Sequence, residues 1–214
     1  MRRWVRLSVA AVLFLYGIVA FAPGVLAFPY HARIDAVTVH ALAPIDPAVR
    51  GVVARSERLL AASPWYDPHI RRDVYLTDGG WRWTLLALTA RGSFALRRPF
   101  SAALVVNRSD VVADRVRNGA AVGGKRSLSG VIAHESTHLF VARHLGELRA
   151  LSLPTWKSEG YADFVARESS LSDADAVRLR AVGEHTPALG YYDARRRVAA
   201  ALRANGGQVA ALFD

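Results

Sequence analysis

The pentapeptide His134-Glu135-Ser136-Thr137-His138 constrains the fold of this chain more than any other stretch. Its two histidines are four positions apart. On an α-helix, residues at that spacing lie one above the other on a single face. Two imidazoles so placed can reach one metal ion, and Glu135, beside the first of them, is placed to contact a metal-bound water as general base. The segment is therefore expected to be helical from about Ser129 to Leu145, with Gly146 at its C-terminal end. The chain has no cysteine, so disulfides and thiolate ligands are excluded and a metal must sit on His, Asp or Glu.

Two histidines need a third ligand. His144 follows His138 by six positions, the offset of the third histidine in H-E-x-x-H-x-x-G-x-x-H, the pattern of the metzincin peptidases. The glycine of that pattern, which lets the chain turn back to the metal, is replaced here by Val141. A β-branched residue resists the positive φ of such a turn. If the helix continues, His144 lies about 9 Å further along the axis and on another face. The methionine turn of metzincins is also missing, since the only methionine is Met1. The alternative is Glu159, 21 positions after His138 in "LPTWKSEGYADFVARE". That interval suffices to finish one helix, turn and begin another. Gly160 would allow close helix packing beside Glu159, and Asp163, four residues on, shares its face. A metal-bound histidine usually donates its other N–H to a carboxylate, and Asp163 is placed to accept it.

"HESTH" followed by "WKSEGYAD" resembles the gluzincin zinc peptidases, the superfamily of thermolysin and the zinc aminopeptidases. The resemblance is carried by residues 131–166. It implies a zincin-like domain in which Val131 to Asp163 form a helix–turn–helix. It implies His134, His138 and Glu159 as zinc ligands, Glu135 as general base, and Asp163 as the carboxylate behind a ligand. It also implies Ala102–Asn107 as the edge strand lining a cleft, offering unpaired backbone groups to an extended peptide. Such enzymes stabilise the oxyanion with a Tyr or His. The candidates are Tyr191, Tyr192 and His185, of which Tyr191 is favoured because it shares a helical stripe with Ala194, Val198 and Leu202. Tyr192 falls on the side of Arg195, Arg196 and Arg203.

The remainder reads as one domain behind an export segment. Arg2, Arg3 and Arg6 precede an apolar run from Leu7 to Ala22, and Leu7–Phe28 is long enough to cross a bilayer. Val25-Leu26-Ala27 also suits signal-peptidase cleavage. Residues 1–28 are thus a signal peptide or a membrane anchor, and residues 29–214 a single peptidase domain outside the cytoplasm. Within it, strands are expected around residues 34–42, 71–77 and 102–107. Helices are expected over 47–62, 155–167, from 172, and over 191–204, with 81–89 open to either form and 118–130 a loop. Strands first and helices after indicate an α+β fold: a small sheet, an active-site helix and following helices, preceded by an N-terminal hydrophobic helix.

The net charge of +10 comes almost wholly from arginine, the only lysines being Lys125 and Lys157. The arginines are scattered, with no interleaved stacking aromatics and no nucleic-acid-binding signature, so nucleic acid is not an expected partner. The partners expected are a peptide or protein substrate, zinc, and a membrane contacted through residues 7–28. The expected activity is zinc-dependent peptide hydrolysis. The competing reading is a membrane-tethered zinc protein that binds a partner without turnover. Glu135 weighs against it, because a purely structural zinc site gains nothing from a base and normally has four protein ligands.

Overall fold

The computed structural model describes residues 22–214, together with Ser8, Gly17 and Val19. Most of the expected N-terminal hydrophobic helix lies outside the described residues. Among the described residues, no helix is long and apolar enough to cross a membrane.

The described chain is α+β. Strands β1 (Tyr30–Ile34) and β2 (Val37–Ala41) form a hairpin. Helix α1 (Val49–Leu60) then crosses over to β3 (Arg72–Leu76), which lies parallel to β2. Helix α2 (Trp81–Ala87) and a short 3-10 turn (Leu88–Ala90) lead into β4 (Ala95–Arg97) and β5 (Ala103–Val106). The sheet order is β1-β2-β3-β5-β4, with β5 parallel to β3 and antiparallel to β4. A second, antiparallel sheet holds β6 (Arg108–Asp110), β7 (Arg115–Arg117) and β8 (Lys125–Ser127). Five helices complete the described chain: α3 (Leu128–Leu145), α4 (Glu147–Leu151), α5 (Thr155–Val165), α6 (Asp173–Ala181) and α7 (Pro187–Ala204), with α8 (Val209–Phe213) as a short last turn.

Burial explains the strand order. All four residues of β5 are buried. Leu104 and Val106 face a core with Val52, Val53, Leu128 and Val131, while Ala103 and Val105 face Phe28, Trp83 and Leu86 on the other side. A strand covered on both faces reads as a continuous apolar run and sits inside the sheet. The expectation that Ala102–Asn107 forms the edge is therefore corrected: the edge belongs to β4, the short segment Ala95-Leu96-Arg97.

Helix α3 passes between the main sheet and the C-terminal helices, so most of its residues from Leu128 to Ala142 are buried. Ser127 caps it, accepting from the Gly130 N–H at 3.0 Å. Asp114 accepts from both the Ser129 N–H and hydroxyl at 2.8 Å, adding a carboxylate where the helix dipole favours one. Gly146, at φ +88°, ends it, as expected.

Several boundaries differ from the sequence expectations. Helix α1 starts at Val49, not Pro47; Asp46 instead accepts from the Ala48 N–H at 2.8 Å in the preceding turn. The expected loop 118–130 ends as β8 and the first turn of α3. Helix α7 starts at Pro187, capped by Thr186, four residues before Tyr191. Gly160 does permit close packing, but against α7. A Cβ there would meet the Ala194 carbonyl oxygen at 2.5 Å and the Val198 side chain at 2.9 Å.

Candidate metal centre

Helix α3 carries His134 and His138 on one face, and α5 brings Glu159 against them. The two Nε2 atoms are 3.1 Å apart. Glu159 places Oε2 at 3.3 Å from His134 Nε2 and Oε1 at 3.4 Å from His138 Nε2. A tetrahedral ion with bonds of about 2.0–2.1 Å separates its ligand atoms by about 3.3 Å. The three residues therefore place donor atoms at the spacing that a metal ion requires, and they form the one such group among the described residues. If the three side chains hold one tetrahedral ion, a fourth position is left open.

A buried carboxylate stands behind the first ligand. Asp163, at 1% exposure, accepts from His134 Nδ1 at 2.7 Å through Oδ1. The same oxygen faces Arg126 Nη1 at 2.9 Å. Arg126 is itself buried and also donates to the Glu168 carbonyl. Glu159 and Asp163 are four apart on α5, so one helix face delivers both the carboxylate of the His-His-Glu group and the carboxylate that bonds His134. His138 has a weaker counterpart: its Nδ1 lies 3.3 Å from Ser158 Oγ.

The electrostatics follow from this crowding. Burial opposes a charge on His134, but the carboxylates of Asp163 and Glu159 outweigh it and raise its pKa to about 10. Burial dominates at His138 and lowers its pKa. Burial would raise the Glu159 pKa, yet the two histidines and Arg126 bring it down to about 2. Asp163 is likewise lowered despite burial, with Arg126 and then His134 as the causes. Without metal, the group thus holds one proton on His134 that a divalent cation would replace.

Glu135 lies next to the triad at 8% exposure. Its Oε2 accepts the Arg97 backbone N–H of β4 at 2.7 Å. Among the hydrogen bonds of the described residues, none engages Oε1. Flanking β4, the Arg98 N–H donates to the Ala103 carbonyl and the Phe94 carbonyl accepts from the Asn107 N–H, each at 2.9 Å. By the antiparallel alternation, Ala95 and Arg97 turn their backbone groups to the free edge. The Arg97 side chain is held by Glu147.

Two cavities meet at this point. One of about 370 Å³ includes Arg97, Pro99, Val141, Leu151 and Ser158. The other, about 820 Å³ and more apolar, includes Phe94, Val131, Leu171, Leu179 and Pro187. His134, Glu135, Glu159 and Tyr191 line both. Tyr191 is 39% exposed and therefore does not belong to the buried stripe of Ala194, Val198 and Leu202 with which the sequence grouped it. Burial raises its phenol pKa, and the charges of Glu159, Asp163 and Glu135 raise it further.

The other sequence candidates fall elsewhere. Tyr192 is buried, donates to Asp173 at 2.6 Å and accepts from Arg196 at 3.0 Å. His185 is exposed and lines neither cavity. His144 is exposed and stacks on Trp65, with ring centroids 4.2 Å apart. Sequence reasoning missed Arg126, Arg97 and Ser158. Arg126 sits in a stretch that read as loop, Arg97 acts through its backbone, and Ser158 is legible only as the neighbour of Glu159. Comparison with protein-family models, curated proteins and solved structures gave no match, so the functional reading rests on the residues of this site.

Proposed function

We propose that this chain is a zinc-dependent metallopeptidase of the gluzincin type, with a zincin-like fold, acting on peptide bonds outside the cytoplasm. One observation carries the reading: a His134–His138–Glu159 group of metal-ligand spacing opens onto a cleft beside a carboxylate, Glu135, that is not part of that group. The donor set of two imidazole nitrogens and one carboxylate oxygen suits zinc. When bound, zinc supplies Lewis-acid polarisation of a carbonyl and acidifies a water.

The chain's own residues supply the rest. Asp163, fixed by Arg126, holds the Nδ1–H of His134 and so keeps the Nε2 lone pair directed at the ligand group. Glu135 is anchored by one oxygen to β4, which leaves the other to take a proton from the attacking water and return it to the leaving amine. Tyr191 reaches the same space from α7 and would donate its phenol hydrogen to the developing oxyanion. The outward backbone groups of Ala95 and the Arg97 carbonyl, with the Arg97 N–H kept by Glu135, would pair with an extended peptide. The test is cleavage of a peptide library by the full-length chain with zinc, with a chelator, and with Glu135→Gln. Zinc-dependent cleavage lost in the variant supports the reading. A zinc-loaded wild type that cleaves nothing favours a zinc protein that binds a partner without turnover.

A further inference from the structure

Helix α2 is apolar on both sides. Its inner side buries Trp83, Leu86 and Ala87 against Phe28, Tyr75 and Val105. Its outer side carries Trp81, Leu85 and, just past its end, Leu88. At 100° per residue Trp81 and Leu85 lie about 40° apart, and Leu88 follows the helix at φ +46°. Trp81 is 59% exposed and Leu88 44%. A solvated helix normally presents polar residues on this side.

The neighbours of this face are specific. The Arg82 guanidinium lies over the Trp81 ring, 4.6 Å from its centroid, and its Nε donates to the Leu26 carbonyl at 2.7 Å. Val25, adjacent in the chain, is 57% exposed. Pro23 and Phe28 are buried, and Phe28 clusters with Trp83 and Leu86, so the segment joining the apolar run 7–22 to the domain is docked beside α2. Val19 packs against the same Phe28–Trp83 cluster. The longest apolar stretch of the chain therefore meets the domain at its exposed apolar helix. Arg91, exposed, follows directly after the 3-10 turn.

We propose that the outer face of α2, with Val25 and Leu88, rests in the interfacial layer of a lipid bilayer, Arg82 and Arg91 lying at headgroup level. A short helix with Trp and Leu outward and arginine at its border has the chemistry of an interfacial contact. Continuity with the apolar run selects lipid as the occupant over a second protein. The arrangement rests on residues 1–28 being kept as an anchor and not on the peptidase reading. It has a consequence for the cleft, however: Thr89 and Ala90, next after Leu88, line the larger cavity, which places its rim beside the bilayer.

The chain lacks cysteine, so single-cysteine labelling is clean. Trp81→Cys, Leu85→Cys and Leu88→Cys, each carrying an environment-sensitive fluorophore, are reconstituted as full-length chain in phosphatidylcholine–phosphatidylglycerol vesicles. Val112→Cys and Val177→Cys, exposed apolar positions elsewhere, are the controls. Emission at 81, 85 and 88 should shift to the blue and be quenched severalfold more by brominated acyl chains than at 112 and 177. Water-like emission at all five positions overturns the proposal. So does a blue shift that brominated lipid leaves unchanged, since protein and not lipid then covers the face.

Discussion

Asp163→Asn isolates the layer behind the ligands. The substitution keeps the shape and an oxygen that can accept the Nδ1–H of His134, but removes a charge that is 1% exposed. Two effects follow from the geometry. First, the Arg126 guanidinium, 2.9 Å away and buried, loses its carboxylate partner. Removing one member of a buried ion pair costs about 3–5 kcal/mol, because the remaining charge is left unpaired. For a chain of this size that lowers Tm by roughly 6–20 °C at about 2–4 °C per kcal/mol. Second, His134 becomes a less basic ligand, which costs about 10–100-fold in metal affinity. The assays are calorimetric melting in chelator and zinc titration against a chromophoric competitor. Arg126→Met serves as the second arm of a double-mutant cycle. The double variant should cost less than the sum of the singles, since neither charge is then stranded. If Asp163→Asn melts and binds zinc as wild type does, the Arg126–Asp163–His134 chain is not what holds the site.

Glu135→Gln should keep zinc and the bond from the Arg97 N–H, yet lose about 10²–10⁴-fold in hydrolysis, read as kcat at saturating zinc. Tyr191→Phe should lower kcat by about 10²–10³ with little change in KM. Tyr192→Phe should instead cost about 1 kcal/mol of stability through its bonds to Asp173 and Arg196; the opposite pattern would reverse the two roles. In chelator, the pH dependence of Tm follows the triad. The raised pKa of His134 gives stability that is full below its unfolded value of 6.5 and lost as pH rises toward about 10. The lowered pKa of Glu159 gives stability present above 4.5 and lost as pH falls toward about 2. The lowered pKa of His138 adds a loss of stability as pH falls below its unfolded value of 6.5. Tm should therefore be highest near that value, and His134→Ala should remove the alkaline slope; a wild-type Tm that is level from neutral pH to pH 10 would refute the assignment.

The helical half of the site was legible because its chemistry imposes spacing. His134 to His138, and Glu159 to Asp163, are i, i+4 pairs, and both lie on helices that bring them together. The β-sheet half was not. Ala103–Val106 has the apolar run of a strand, but only the packing of α2 and Phe28 over its second face decides that it is interior. The edge strand β4 is three residues long and carries Arg97, so neither alternation nor length marks it. Arg126 escaped for a different reason: a buried arginine looks like any solvated one until its carboxylate partner, 37 residues away in sequence, is folded onto it. The stripe containing Tyr191 was half right, since Ala194, Val198 and Leu202 are buried while Tyr191 stands at the cleft wall.

The proposed function stands on His134, His138 and Glu159 forming a single metal site. Elemental analysis of the full-length chain after equilibration with zinc and removal of excess tests it most directly. Wild type and His144→Ala should each retain one zinc per chain, and Glu159→Ala none. Zinc retained by Glu159→Ala, or lost from His144→Ala, would contradict it.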